Sequence, residues 1–132
     1  EQTADKVDAL KLQALCIFID SLEYGGKSAR DKYLNWFYPV LCRLADDKDC
    51  DIKQTAIFGI GVLAKIGCLQ QCDAEYKWFA RFLKEVEQFK RDEEQNQNEE
   101  QEAEDDDEEE DVSKYLIYEN MVSALGKIIR YQ

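Results

Sequence analysis

The stretch DIKQTAIFGIGVLA, residues 51–64, decides how this chain folds. Ile52, Ala56, Ile60 and Leu63 step by four, four and three, which places them on one side of a helix with 3.6 residues per turn. The small residues Ala56, Gly59, Gly61 and Ala64 crowd its middle. An interior glycine costs a helix about 1 kcal/mol relative to alanine, so close approach of neighbouring helices is the expected compensation. Gly67 follows as the stop signal, because glycine supplies the left-handed cap readily.

Working outward, four more segments show the same period, and none shows the alternation of a strand. Ala4, Val7, Leu10, Ala14, Phe18 and Leu22 form a stripe that ends at Gly25-Gly26. Tyr33, Phe37, Leu41 and Leu44 form another, with Pro39 expected to kink the helix rather than to start a strand. Tyr76, Phe79, Leu83 and Val86 make the fourth stripe, and Tyr115, Tyr118, Val122, Leu125 and Ile129 the fifth. The expected helices cover residues 4–23, 30–46, 51–66, 73–91 and 112–131 of one all-α segment spanning 1–132. Each is amphipathic and needs a neighbour to bury its apolar face.

Charge is concentrated. Residues 92–111 hold fourteen of the 29 acidic residues and no Lys or Arg, which leaves 15 acids against 17 bases elsewhere. Like charges at every spacing with almost no apolar residues predict a solvated, disordered acidic loop over 92–111, with a turn or two joining either flanking helix. Its field attracts basic proteins and repels nucleic acid. No window holds 18 unbroken apolar residues, so no membrane span is expected. The chain starts at Glu1 without Met and stops at Gln132 directly after an apolar helical pattern, so it reads as a segment of a longer protein. Apolar end faces exposed in this way predict weak self-association through the first and last helices.

Several chemistries fall away. Histidine is absent, which removes Ser-His and Cys-His catalysis and imidazole ligation. Cys16, Cys42, Cys50, Cys68 and Cys72 are odd in number, and their spacing lacks the tight pairs of a thiolate zinc site, so free thiols are expected. A calcium loop needs a central glycine, and the acidic tract has none. No rigid frame holds two carboxylates for acid–base work, so no enzyme and no cofactor are expected.

The helices repeat. Ala14, Ile17, Phe18 and Ile19 match Ala56, Gly59, Ile60 and Gly61 at an offset of 42, and Gly59-Ile60-Gly61 match Ala124-Leu125-Gly126 at 65. The excess is close to the length of the acidic tract. Without that insertion the period is 42–45 residues, the length of two-helix repeats of the HEAT or armadillo kind. An all-α solenoid fragment of about two and a half repeats follows, with the first, third and fifth helices as its inner row.

Asp47, Ile52-Lys53 and Ala56 together resemble the HEAT signature, as does Pro39 in the preceding helix. The run 51–64 is similar to the importin-β superfamily, in particular its karyopherin beta-3 branch. So is Tyr118-Glu119-Asn120-Met121-Val122-Ser123-Ala124-Leu125-Gly126-Lys127-Ile128-Ile129, with Leu15-Cys16-Ile17-Phe18-Ile19-Asp20-Ser21-Leu22 a looser match. The resemblance covers most of 10–91 and 112–132. It implies a segment from the C-terminal half of a nuclear transport receptor that shuttles between cytoplasm and nucleus. Such receptors carry basic cargo such as ribosomal proteins and histones, and release it to GTP-bound Ran. It also implies a charged ladder between repeats through Asp47 and Lys53. Phenylalanine-glycine nucleoporins would be further partners, at an aromatic cluster such as Trp36-Phe37-Tyr38.

The candidate partner-binding residues are of two kinds. Glu104, Asp105, Asp106, Asp107, Glu108, Glu109, Glu110 and Asp111 are the densest part of the acidic tract. Gln54, Glu119, Asn120 and Lys127 are polar positions on the inner helices, with Lys65 and Arg130 beside them. A HEAT scaffold with an incidental acidic loop, or an acidic histone-chaperone-like module, fits the same residues.

Overall fold

The computed structural model describes residues 2–98 and 108–131, and among them the chain is all-α, with six helices and no strand. These are α1 Gln2–Tyr24, α2 Gly26–Leu44, α3 Cys50–Lys65, α4 Leu69–Cys72, α5 Lys77–Asn98 and α6 Glu108–Arg130. No described helix is long and apolar enough to cross a membrane.

The ends of the helices have local causes. At the α1–α2 corner Gly26 takes φ +85°, and the Arg30 guanidinium donates to the carbonyls of Leu22 (2.8 Å) and Glu23 (3.1 Å). This satisfies acceptors that the end of α1 would leave open, so α2 begins at once, earlier than the expected residue 30. Pro39 lies inside α2, which runs on to Leu44. Asp49 caps α3, its side chain accepting from the Ile52 N–H at 3.1 Å. Gly67, at φ +78°, ends α3: its N–H reaches the Ala64 carbonyl and the Cys68 N–H reaches Leu63, the paired bonds of a Schellman stop.

Asp73 starts α5. It is 7 % exposed, and its two carboxylate oxygens accept from the backbone N–H groups of Lys77 and Trp78, each at 2.9 Å. Because that carboxylate serves α5 from outside it, the helix opens at Lys77 and not at 73, and the short α4 occupies part of the intervening turn.

α3 is the hub. It packs against α1, α2, α4 and α6, while α2 also covers α1 and α5 also covers α6. α1, α3 and α6 form a row of parallel helices: Lys65 pairs with Glu23, 42 positions earlier, and Asn120 reaches Gln54, 66 positions earlier. α2 and α5 are tied to each other by Trp78 Nε1 donating to Tyr38 Oη at 2.9 Å, and Arg81 of α5 pairs with Asp46 in the turn after α2. Leu41, Ile52, Ala56, Ile60 and Phe82 are fully buried where these elements meet.

The glycines of α3 mark the close contacts. A Cβ on Gly59 would stand 2.7 Å from Ile19 Cδ1 of α1 and 3.0 Å from Leu41 Cδ1 of α2. On Gly61 it would stand 3.3 Å from the Ala124 Cα of α6. Side chains of α1 and α2 therefore fill the place of a Cβ at Gly59, and the α6 backbone comes close at Gly61, on the other side of the same helix.

The expected stripe of α3 is buried throughout; in the other helices Leu22, Phe37, Leu41, Val86 and Leu125 are buried as expected, while the other described members of those stripes are exposed or half-buried. In α1, Leu15, Ile19 and Leu22 are buried, whereas Val7 and Leu10 are exposed. In α2 Leu34 takes the place expected for Tyr33. In α5 Trp78 and Phe82 point inward in place of Phe79 and Leu83. In α6 Met121, Ala124 and Ile128 do so in place of Val122 and Ile129. Each of these helices is apolar over more than one stripe, and the position of its neighbours selects which one is buried.

A turn or two at each end of the acidic tract joins the flanking helices, as expected. α5 takes in residues 92–98 and α6 takes in 108–111. Tyr115 Oη donates to Glu93 at 2.8 Å, and Phe89 stacks on Tyr118 (ring centroids 4.4 Å apart), so the two helices grip each other past the onset of the charge. On the α6 side, carboxylates at a helix N-terminus are favoured by the helix dipole. The expected disorder at the centre of the tract falls outside the described residues.

Candidate binding surface

The row α1–α3–α6 presents one side to solvent, and its polar residues form a chain of contacts across the row. Gln54 Nε2 donates to Cys50 Sγ (3.0 Å), and Asn120 Nδ2 donates both to Gln54 Oε1 (3.3 Å) and to the Leu116 carbonyl (3.0 Å). Two of the four expected inner-helix residues thus meet at the α3–α6 seam. Lys127 is the third, with its ammonium 4.5 Å from the ring centre of Phe58, which is itself exposed on α3. Such a cation over an aromatic face contributes about 0.5–1 kcal/mol when exposed. Glu119 is exposed, and its side chain makes no hydrogen bond or ion pair among the described residues.

The electrostatics of this wall are mixed. Burial holds the Lys127 ammonium below its ordinary pKa, and the nearby Lys65 pushes it the same way. Lys65 is drawn up by its hydrogen bond to Glu23, at 2.9 Å on α1. Glu23, Lys65, Lys127 and Phe58 therefore form a connected polar and aromatic patch, in which Lys65 and Lys127 were expected and Glu23 is added by its pairing at the 42-residue step.

Asp47 and Lys53 do not pair with each other. Asp47 accepts from the Asp49 N–H at 2.9 Å and lies 3.8 Å from Lys11 of α1. Lys53 instead acts through space on Asp46, whose carboxyl is held below its usual range first by its hydrogen bond from Arg81. Lys11 precedes Lys53 by the 42-residue step, so an acid of one repeat unit meets the base that stands at Lys53's register in the unit before.

Glu104, Asp105, Asp106 and Asp107 lie outside the described residues. Glu108, Glu109, Glu110 and Asp111 form the first turn of α6, not a loop.

Of the tryptophans, Trp78 is buried, whereas Trp36 is 58 % exposed. Phe18 lies 5.1 Å from Trp36 and 5.2 Å from Phe37, and these rings, with Val40 and Leu44, line an open cleft of about 300 Å³ between α1 and α2. A second cleft of about 600 Å³, lined by Tyr38, Asp73, Trp78 and Arg81, lies between α2 and the start of α5.

Sequence reasoning missed Asp73, the buried carboxylate that starts α5. Its signal is modest, an Asp placed a few residues ahead of the run Tyr76-Lys77-Trp78-Phe79. The five cysteines are free; burial raises the thiol of Cys68 and pushes that of Cys72 up to about 11. Both stay protonated near neutral pH, which favours inert thiols. Among the described residues no three His, Cys, Asp or Glu side chains group as a metal site.

No family model, curated protein or solved structure matches this chain.

Proposed function

We propose that this chain is a segment of a HEAT-type α-solenoid that binds basic proteins, within a nuclear transport receptor of the karyopherin kind. The observation that carries the reading is the parallel row α1–α3–α6. Its helices are joined by Glu23–Lys65 between α1 and α3 and by Gln54–Asn120 between α3 and α6, and they leave a polar wall of Gln54, Asn120 and Lys127 in a chain whose residues 92–111 carry fourteen carboxylates. The row agrees with the expected inner helices, and the resemblance of 51–64 and 118–129 to the karyopherin beta-3 branch supplies the transport role. A wall of this kind recognises shape and charge, and the acidic tract raises the local concentration of Lys- and Arg-rich segments. Cargo such as ribosomal proteins and histones, release by GTP-bound Ran from the intact receptor, contact with phenylalanine-glycine nucleoporins and shuttling between cytoplasm and nucleus all belong to this proposal.

Isothermal titration calorimetry against a histone or ribosomal-protein tail, at two salt concentrations, tests it. The wild type is compared with a variant lacking residues 93–110. Binding that weakens with salt and is lost with those residues supports recognition of basic proteins through the tract. Release by GTP-bound Ran then separates a carrier from a histone-chaperone-like module. Binding that survives the deletion moves the site to the helical wall and favours an interaction scaffold. Absence of binding by either chain counts against the proposal.

A further inference from the structure

α3 is enclosed by α1, α2, α4 and α6, yet Phe58 on its free side is 39 % exposed. Both flanks of α3 are taken, one by α1 at Gly59–Ile19 and the other by α6 at Gly61–Ala124 and Gln54–Asn120. No further helix of the row can reach the free side, so an open ring at the centre of the row is a property of the wall itself.

That ring belongs to a small cationic site. The Lys127 side chain crosses from α6 over the notch at Gly61, where its Cδ stands 3.2 Å from the place of a Cβ, and its ammonium ends 4.5 Å from the ring centre of Phe58. Burial, and then the nearby Lys65, hold that ammonium below its ordinary pKa. Lys65 is itself paired with Glu23 at 2.9 Å, and the Glu23 side chain is only 10 % exposed, so solvent meets the two ammoniums and little of the carboxylate. The half-buried guanidiniums of Arg30 and Arg81 end on carbonyl and carboxylate oxygens. Lys127, also half-buried, ends on a ring, with no carboxylate in ion-pair distance among the described residues. An anion at this point would offset both the burial and the like charge.

We propose that this part of the wall docks an acidic peptide segment of a partner protein, seating one carboxylate on Lys127 beside Lys65 and laying a neighbouring apolar side chain against Phe58. Asp111, where the acidic tract ends, lies sixteen residues before Lys127 on α6, about 24 Å along the helix. That exceeds the roughly 8 Å over which charges act at physiological ionic strength, so the two ends of α6 present opposite charge. A nucleic acid strand would lay further phosphates on a chain of net charge −12, which repels them. A peptide with one or two carboxylates brings only the charge that Lys127 lacks. The site is separate from the acidic tract, prefers the opposite charge, and holds whether or not the chain carries basic proteins.

Fluorescence anisotropy with a short, labelled, end-capped peptide tests it. The probe carries two Glu around a central Phe among Gly and Ser. The wild-type chain should bind it, and should bind a counterpart with Gln in place of Glu about five-fold more weakly, the loss of one charge-assisted contact. Lys127→Met keeps the stem over Gly61 and removes the charge, so it should lower affinity for the Glu peptide by a similar factor. Lys127→Arg should keep most of the affinity. Lys84→Met, which removes a charge from an exposed position on α5, should change nothing. Far-UV circular dichroism checks that each variant keeps its helices, and Lys127→Gln replaces Lys127→Met if that variant does not. Equal binding of the two peptides, full affinity in Lys127→Met, an equal loss in Lys84→Met, or no binding by the wild type overturns the proposal. So does tighter binding of a short oligothymidine, which would make the surface one for nucleic acid.

Discussion

Alanine at three glycines should separate the close helix crossings from open surface. Gly59→Ala gains about 1 kcal/mol of helix propensity, but its Cβ would sit 2.7 Å from Ile19 Cδ1 and 3.0 Å from Leu41 Cδ1. Ile19 and Leu41 are 2 and 0 % exposed, so neither methyl has free space to enter. Overpacking of this kind costs about 1–3 kcal/mol, which leaves a net loss of about 1 kcal/mol. Gly126→Ala gains the same propensity with nothing within 4 Å to oppose it. The two variants should differ by about 2 kcal/mol in opposite directions. Gly61→Ala, with contacts of 3.2–3.4 Å, should fall between them. The assay is urea unfolding followed by far-UV circular dichroism, at dilutions where the chain is monomeric. Ile19→Val removes the clashing methyl, so in the Ile19→Val background Gly59→Ala should become neutral or stabilising. If Gly59→Ala proves as stabilising as Gly126→Ala, α1 and α3 do not approach as described and the reasoning fails.

Asp73→Ala should destabilise by about 1–3 kcal/mol, because it leaves two N–H groups at the start of α5 without acceptors, the one on Trp78 buried; urea unfolding would measure the loss. Burial raises the Cys72 thiol to about 11, so its contribution to stability is whole below its ordinary value near 9 and is lost as pH rises toward 11. Cys72→Ala should therefore flatten the alkaline limb of the stability–pH curve, and an unchanged limb would refute that assignment. Asp46, lowered first by its hydrogen bond from Arg81, contributes above about pH 4 and loses that contribution as pH falls. Its side chain is 60 % exposed, so Asp46→Asn should cost about 0.5 kcal/mol or less at neutral pH, with the difference from wild type closing in acid.

How much of this was legible in the sequence depended on how many sides of a helix are buried. α3 is enclosed by four neighbours, so Ile52, Ala56, Ile60 and Leu63 are buried as their spacing implies, and the cost of Gly59 and Gly61 correctly signals close contacts. α1 and α6 lie at the ends of the row, and each carries apolar residues on its bare flank as well. Periodicity could not tell Leu15–Ile19–Leu22 from Val7–Leu10–Ile17, since both sets recur at helical spacing. Of the wall residues, Gln54 and Asn120 were placed on neighbouring inner helices, but their contact was not legible in the register, since the 65-residue step puts Glu119 at the place of Gln54. Asp47–Lys11 was hidden because it spans two repeat units, and Asp73 because its carboxylate acts across an irregular turn. Charge alone marked the acidic tract, but the helical ends of that tract depend on α5 and α6 gripping through Phe89, Glu93, Tyr115 and Tyr118.

The unlike settings of the two tryptophans give the molecule a built-in pair of optical reporters. Trp36, open to water beside Phe18, should emit at long wavelength and be quenched readily by acrylamide. Trp78, enclosed and hydrogen-bonded to Tyr38, should emit at shorter wavelength and resist quenching. Fraying of the α1–α2 end would alter the first signal while leaving the second in place. Loss of the α2–α5 junction would shift the second, so fluorescence can report where along the helical row the protein opens first.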